Sequence, residues 1–210
     1  MMKNVEPAIA DNNNGEITAC QVVSEEQYIQ AKKKLYEQPE YKLLCRFPDD
    51  PEEPYVEIKT KEQFLEVVKK VNEGDETCKW GYFKLCQDLD LEGETICSCG
   101  NHEDFYFAGI FDGQGHTISN FNIEQEGQQY AALFGYVKGA VIARLNIEGS
   151  VNGGGYAAIL AGKSEGGFIQ GCTSLVQESE NGYGPVLAGE NEGTILECIL
   201  AVKNSVWVKL

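Results

Sequence analysis

The chain repeats one sequence pattern four times, beginning at Phe107. The copies read FAGIFDGQGHTISNFNI, YAALFGYVKGAVIARLNI, YAAILAGKSEGGFIQGCTS and YGPVLAGENEGTILECIL. Three glycines mark the period, because Gly135, Gly162 and Gly189 are each 27 residues apart. A fixed period of this size is the signature of structural repeats that stack on one another, so the repeat limits the fold more than any other feature of the chain.

Each copy holds two short apolar runs that are separated by glycine-rich turns and are too short to form helices. An apolar residue follows an isoleucine by three positions in every copy; the pairs are Ile118 with Phe121, Ile142 with Leu145, Ile169 with Cys172 and Ile195 with Cys198. In a parallel β-solenoid of about four to five rungs, these pairs would form two interior columns with glycines at the corners. Asn122 and Asn146 are expected to face outward and to bond to the next rung.

The order of the motifs resembles a known family. FxGxFDGxGHTIxNxxI, followed by YAxLFGYVxGAxIxxLxI and by copies ending in LAG, is similar to the GLUG-repeat family of right-handed parallel β-helices. Upstream, IKTKEQFLEVVKKVNEG and YFKLCQDLDLEG resemble the capping helix and first strand of such domains, so the likeness covers residues 55–210. The resemblance implies a mainly β, right-handed parallel β-helix that serves as a scaffold or adhesive surface in bacterial surface proteins.

We expect two domains, an N-terminal extension of residues 1–54 and a capped β-helix of residues 55–210. The extension should hold a helix over residues 25–38, introduced by a capping box at Ser24, and a strand over residues 41–47. An acidic, proline-containing linker at residues 49–54 separates the two domains.

Both ends of the predicted solenoid need a cover. A capping box at Thr60 predicts a second helix that ends at Gly74, and its apolar stripe of Phe64, Val68 and Val71 would lie across the first rung as a lid. At the other end residues 206–210 alternate as a last strand. We expect the N-terminal extension to cover that strand, and pairing with a second copy in a dimer is the alternative to a monomer.

The charge balance bears on partners. The chain has 33 acidic and 17 basic side chains, a formal net charge of −16 at pH 7. Repulsion from phosphates disfavours direct binding to DNA, RNA or an anionic membrane. The acids either keep the protein soluble or imitate a phosphate backbone and occupy the basic groove of a partner protein. The sequence shows no signal peptide and no membrane span, which predicts a cytoplasmic location, or the cell surface if a native leader was removed.

The eight cysteines lack the regular spacing of a disulfide scaffold, which favours reduced thiols. Cys172 and Cys198 fall in a predicted interior column as small apolar fillers. A metal site would have to gather several of the remaining residues without any CxxC pair, so no metal is predicted; those residues are Cys78, Cys86, Cys97, Cys99 and His102.

No catalytic residue and no cofactor are predicted. The HExxH motif of metalloproteases is absent, and His116 in GQGHTI has no local base or nucleophile beside it. Asp88, Asp90 and Asp112 resemble the carboxylates of β-helical polysaccharide enzymes, but an acid at such positions ordinarily accepts hydrogen bonds from turn amides. No helix follows the glycines at 113 and 115, so they form no phosphate loop.

The leading functional hypothesis is a non-catalytic interaction module that binds a partner protein. One version is a cytoplasmic inhibitor of a nucleic-acid-binding protein, of the anti-CRISPR or DNA-mimic type, of bacterial or phage origin. The alternatives are an adhesin-like bacterial surface module and a carbohydrate-active β-helix enzyme. The candidate partner-binding residues are the acids of the linker, Asp49, Asp50, Glu52 and Glu53.

If the linker acids steer a basic partner, replacing all four by their amides should slow association and weaken binding. Electrostatic steering acts mostly on the association rate and is screened over about 8 Å at physiological salt. The association rate, measured by surface plasmon resonance at low and half-molar salt, checks this expectation. An unchanged rate at both salt concentrations would remove the linker from the interface.

Overall fold

The computed structural model describes residues 8–36, 54–125, 129–153, 157–177 and 186–203. Within these ranges the chain is mainly β, as predicted. The helices are α1 (Glu25–Tyr36), α2 (Lys61–Asn72) and α3 (Glu76–Lys79). The strands are β1 (Ala8–Asn13), β2 (Glu16–Thr18), β3 (Gln21–Ser24), β4 (Val56–Ile58), β5 (Tyr82–Leu85), β6 (Leu89–Thr95), β7 (Ile110–Asp112), β8 (Thr117–Gln125), β9 (Phe134–Lys138), β10 (Val141–Ala143), β11 (Asn146–Gly153), β12 (Ala161–Gln170), β13 (Thr173–Gln177), β14 (Val186–Leu196) and β15 (Ile199–Lys203).

The described strands form two sheets, and the strands pair in parallel throughout. The nine-stranded sheet has the order β1-β14-β12-β10-β7-β5-β4, with β2 beside β14 and β9 beside β12. The six-stranded sheet has the order β3-β15-β13-β11-β8-β6. Each sequence repeat adds one level to both sheets, and we call the residues at one level a layer. The predicted parallel pairing is confirmed.

The interior column of the nine-stranded sheet consists of Phe111, Ile142, Ile169 and Ile195 in successive strands. The three isoleucines were predicted to share this column, and each is at most 1% exposed. Their pairing in register places equivalent side chains of adjacent repeats in direct contact. The repeat period therefore determines the alignment of the strands in this sheet.

The predicted alignment of the first copy was wrong. Ile118 pairs with Ile147 in the six-stranded sheet, and Phe121 lies opposite Gly149 rather than above Leu145. The reason is the turn between Phe111 and Ile118, which is two residues longer than the turn between Ile142 and Ile147. The three-residue spacing from the isoleucine to the next apolar residue is the same in all copies, but in the first copy both residues, Ile118 and Phe121, lie in the following strand, β8.

The corner between the two sheets has the same backbone conformation in four layers. One residue in each corner has a positive φ: Ala19 at 54°, Arg144 at 52°, Gly171 at 63° and Glu197 at 51°. The glycine prediction holds at Gly171, whereas the other three corners accept a side chain in the left-handed region. A non-glycine residue in this region costs about 1–3 kcal/mol, which the pairing on both sides of the corner must offset.

Glycines are needed elsewhere for close approach. A Cβ atom at Gly162 would lie 2.6 Å from the carbonyl oxygen of Gly135, and one at Gly135 would lie 2.3 Å from that of Gly100. The 27-residue glycine repeat therefore marks the place where the backbones of adjacent layers have no room for a side chain.

Helix α2 covers one end of the sheets, as predicted. Thr60 caps it in a capping box with Gln63, and Gly74, with φ of 80°, follows its C-terminal end. Phe64, Val67, Val68 and Val71 are buried in the main core. The helix contacts β4 and β6, which are the end strands of the two sheets, so the lid prediction is confirmed.

Strands from the N-terminal segment lie at the opposite end, where the N-terminal extension was expected as a cover, but their form as a further layer was not predicted. Strands β1 and β2 pair with β14, and β3 pairs with β15. Residues 8–23 thus form a further copy of the repeat, aligned without a gap on residues 186–201. The predicted strand at residues 206–210, the strand at 41–47 and the linker acids lie outside the described residues, and the domain boundary after residue 54 stays a prediction.

Helix α1 begins at Glu25 as predicted and packs on the outer face of the six-stranded sheet. Tyr28 and Leu35 are buried in a small cluster with Ile199 and Ala201. The Tyr28 hydroxyl lies 2.8 Å from the Thr173 hydroxyl in β13. Burial raises the pKa of Tyr28 to about 12. From the N-terminal layer, the helix therefore leads the chain back over the strands of earlier layers.

The two asparagines of the predicted ladder differ. Asn122 is half-buried; its amide donates to the Gly93 carbonyl at 2.9 Å and its oxygen accepts from Ser150, so it joins three layers as predicted. Asn146 also faces outward and bonds to adjacent layers, as predicted, but it is 0% exposed because helix α1 covers the outer face at this place. Tyr36 and Thr173 donate to its oxygen, which is buried beneath α1.

Removing residues 1–36 should destabilise the protein, because it uncovers the edges of β14 and β15 and part of the core. The loss of several kcal/mol would lower Tm by about 10 °C or more for a chain of this size. Calorimetry measures the shift, and light scattering tests whether the exposed edges self-associate. An unchanged Tm together with a monomeric mass would contradict the observed placement of the N-terminal strands.

Candidate functional site: a polar groove on the six-stranded sheet

A groove with a volume of about 310 Å³ crosses the six-stranded sheet. It exists because β8 carries an extra residue: the register with β11 shifts between Glu148 and Gly149, and Asn120 has a φ of 55°. A bulge of this kind bends the strand and redirects its side chains. The groove is lined by Gly93, Asn120, Phe121, Asn122, Glu148, Gly149, Ser150, Leu175 and Lys203.

The base of the groove is fixed by packing and by the asparagine ladder. Phe121 is 1% exposed, and a Cβ atom at Gly149 would lie 2.6 Å from its ring. The ring therefore fits only because residue 149 has no side chain. The bonds of Asn122 to Gly93 and Ser150 join the lining of three adjacent layers. These interactions form the base of the groove from groups of the protein alone, without a ligand.

One acid lies in the groove lining and a second is bonded to a lining residue. Asp90 accepts from the Asn120 amide at 2.9 Å and from the backbone N–H of Glu92 at 2.8 Å, and these two donors hold the pKa of Asp90 below its usual value. Glu148 lies in the lining itself. The described hydrogen bonds and ion pairs leave the Glu148 carboxylate without a protein partner. Glu148 therefore offers an acceptor to a ligand.

Helix α1 brings a lysine to the same region. Burial lowers the pKa of Lys32, and attraction to Glu148 and Asp88 opposes this shift. The lysine therefore lies within the field of both carboxylates and compensates part of their charge. Lys203 is the basic residue of the lining and Glu148 is the acidic one, so the groove carries both charges.

The carboxylates considered for catalysis have structural bonds. Asp112 is 2% exposed; it accepts from the backbone N–H of Gln114 at 3.0 Å and from both the Nε and an Nη of Arg144 in the next layer. Asp88 accepts from the backbone N–H of Thr117 at 2.8 Å, and His116 Nδ1 lies 3.4 Å from the same carboxylate. The prediction that these acids bond to turn amides is confirmed.

The outer face of the nine-stranded sheet carries a tyrosine cluster. Tyr130 and Tyr106 lie 5.3 Å and 5.8 Å from Tyr136 between ring centroids. The Tyr136 hydroxyl donates to Glu165, which also pairs with Lys138 at 2.9 Å. Burial and the neighbouring Glu165 raise the pKa of Tyr136. The cluster is internally bonded, so the groove is the better candidate for ligand binding.

The residues considered for a metal do not assemble. Cys99 is buried, Cys78 and Cys86 are half-buried, and Cys97 and His102 are exposed. Among the residues that the structure describes, no group of three or more His, Cys, Asp or Glu side chains could hold a metal ion. None of the described helices is long and apolar enough to cross a membrane.

The sequence analysis did not single out the groove residues Asn120, Glu148 and Lys203. They come from three different repeats, and the strand pairing alone brings them together. The predicted partner-binding residues Asp49, Asp50, Glu52 and Glu53 lie outside the described residues, so their relation to the groove stays open. A signal for the groove was present in the first copy, where the segment SNFNI has one residue more than the equivalent segment EGSV of the second copy.

Comparison with known proteins gives one partial likeness. No family model and no solved structure matches the chain. A stretch of 104 residues is 33% identical to part of halomucin from Haloquadratum walsbyi strain DSM 16790 / HBSQ001. The match covers 43% of this chain and 1% of halomucin, so this chain spans a small fraction of that protein's length.

The Asp112–Arg144 pair gives a test of the layer assignment. Replacing Arg144 by alanine should destabilise the protein by about 3 kcal/mol, because it leaves a buried carboxylate without its cation. Replacing Asp112 by alanine should cost less, about 1–2 kcal/mol, because the half-exposed guanidinium can turn to water. Urea unfolding of both variants measures the difference. The reverse order of stability would show that the carboxylate is not held between these layers.

Proposed function

We propose that the protein is a non-catalytic interaction module built on a short right-handed parallel β-helix, whose outer surface binds a partner protein. The parallel pairing of equivalent residues in successive repeats supports this architecture. The chain passes between two sheets once per repeat, and this is how a β-helix is wound. The resemblance to GLUG repeats supports the right-handed form.

The groove on the six-stranded sheet is the observation that carries the proposal. It is open and polar, and it presents the Glu148 carboxylate; Asp90 is bonded to the lining residue Asn120, and Asp88 acts with Glu148 on Lys32. A lysine or arginine side chain of a partner supplies the complementary charge and the hydrogen-bond donors. With a net charge of −16, the whole protein also attracts basic surfaces over long range.

We propose a non-catalytic role because the acids that were considered for catalysis have structural roles. Asp88, Asp90 and Asp112 each accept a backbone N–H, and Asp112 is also paired with Arg144. One oxygen of Asp88, one oxygen of Asp90 and both oxygens of Asp112 are therefore engaged by groups of the protein. A basic groove of a nucleic-acid-binding protein is the kind of partner surface that this acidic face complements, which makes an inhibitory role the first version of the proposal.

A surface module of a longer repeat protein is the second candidate. The likeness to 1% of halomucin favours it, because it places a related stretch inside a much longer chain. In that case the β-helix acts as one unit of an extended array, and its faces bind neighbouring units or an external surface. The two candidates differ in their dependence on salt, since an array packs through apolar surfaces and a charge-directed complex does not.

Neutralising the groove should weaken binding to a basic ligand. The variant combines Glu148→Gln in the lining with Asp88→Asn, because both carboxylates attract Lys32, and the asparagine keeps an acceptor for the Thr117 N–H. A fluorescent decalysine peptide is the probe, and fluorescence anisotropy measures its Kd. We expect a roughly tenfold weaker Kd for this variant, equivalent to about 1.4 kcal/mol.

The control variant combines Glu66→Gln with Glu192→Gln, two exposed acids outside the groove lining, and makes the same change in net charge. It should change the Kd less than threefold, and half-molar salt should remove most of the binding of the unaltered protein. Equal losses for the two variants would assign binding to overall charge. Binding that survives half-molar salt would favour the surface module.

A further inference from the structure

Three cysteines of successive layers share one interior column. Cys172, Cys198 and Cys20 each follow the left-handed corner residue of their layer, and strands β13, β15 and β3 begin immediately after them. Each sulfur atom lies within hydrogen-bonding distance of the carbonyl oxygen two residues before it, at 3.7 Å from Gln170, 3.2 Å from Leu196 and 3.4 Å from Thr18. The three sulfur atoms therefore have equivalent positions in adjacent layers.

Cys20 and Cys198 are in direct contact. The backbone N–H of Cys198 donates to the Cys20 sulfur at 3.4 Å. The residues on both sides are paired in register, Thr18 with Leu196 and Gln21 with Ile199. Adjacent strands lie about 4.8 Å apart, and this is within the Cα separation of about 4.4–6.8 Å that a disulfide bond spans.

The two thiols differ in access and acidity. Cys198 is 0% exposed, whereas Cys20 lies in the terminal layer and is half-buried. The hydrogen bond from the Cys198 thiol lowers the pKa of Cys20, and burial raises the pKa of Cys198. A thiol with a lowered pKa forms the thiolate, which is the nucleophile in thiol–disulfide exchange. Cys20 is thus the thiol that meets an oxidant first.

We propose that Cys20 and Cys198 are the site of a reversible disulfide bond that fastens strands β1–β3 to the last repeat. The oxidant is a small-molecule disulfide such as oxidised glutathione. The Cys20 thiolate attacks one of its sulfur atoms and releases one glutathione thiolate. The Cys198 thiol gives up its proton and attacks the Cys20 sulfur of the mixed disulfide, which releases the second glutathione thiolate. Two protein thiols are oxidised, and one glutathione disulfide is reduced to two thiols.

The bond would join residues that are 178 positions apart in the chain. Closing so long a loop restricts the unfolded chain, and it also prevents the terminal layer from separating from β14 and β15. Oxidation would therefore strengthen the end of the core that the N-terminal strands cover. Cys172 is the competing partner of Cys198, but it is fully buried one layer deeper.

Mass spectrometry tests the chemistry on the full-length folded protein. After incubation with oxidised glutathione and alkylation of the remaining thiols, we expect a disulfide-linked peptide that contains Cys20 and Cys198. The intact mass should show that this pair has lost two hydrogen atoms and has not been alkylated. Dithiothreitol should reverse both results. A link between Cys172 and Cys198, or a stable mixed disulfide at Cys20 alone, would overturn the proposal.

Thermal unfolding tests the fastening. The oxidised protein should melt several degrees above the reduced protein, and Cys20→Ser should abolish the difference while leaving the Tm of the reduced form nearly unchanged. Cys97→Ser is the matched control, because Cys97 is an exposed thiol outside the column, and it should retain the full difference. An oxidised wild-type protein with an unchanged Tm would overturn the role of the bond, even if the linked peptide is found.

Discussion

The unpaired backbone groups at the edges of two parallel sheets are the constraint on which the rest of this structure depends. Each layer bonds to the layer before and after it, so the first and the last layer would each leave a row of free N–H and C=O groups beside an open core. The chain covers one end with the amphipathic helix α2 and extends the other end with its own N-terminal strands. Residues that are distant in sequence thereby supply the last described layer, and Gly15 approaches Gly193 as closely as the glycines of adjacent repeats approach each other.

The second constraint is the corner between the sheets. Four layers turn through a residue with positive φ, and in three of them that residue has a side chain. The turn is followed by Cys20, Leu145, Cys172 or Cys198, so a strained backbone position fixes the place of the interior column. Because successive corners stack, the strain in one layer is supported by the hydrogen bonds of the next, such as that from the Thr173 N–H to the Leu145 carbonyl.

The sequence predicted much of the fold and little of the site. The repeat period, the strand character and the capping box at Thr60 were readable because each depends on local spacing. Residues 8–23 were not recognised as a repeat, because ADNNNGEIT is polar and resembles a loop. The shared pattern of glycine, isoleucine two positions later and cysteine three positions after that, in Gly15–Cys20 and Gly193–Cys198, was the signal. The longer turn before Ile118 displaced the alignment of the first copy. The extra residue of the bulge was visible in SNFNI, but the groove residues could not be placed together from local spacing, since Glu148, Asn120 and Lys203 meet only through the pairing of different repeats.

Amide hydrogen exchange of the terminal layer tests the central claim most directly, because the N-terminal strands complete the stack through specific bonds. The N–H groups of Asn14 and Gln21 donate to Asn191 and Cys198, and that of Glu197 donates to Thr18. The account predicts that these three amides exchange far more slowly than exposed amides and that their protection is lost together. Exchange of Asn14 and Gln21 at the rate of an unfolded peptide, while the Ile199 amide in β15 stays protected, would contradict it.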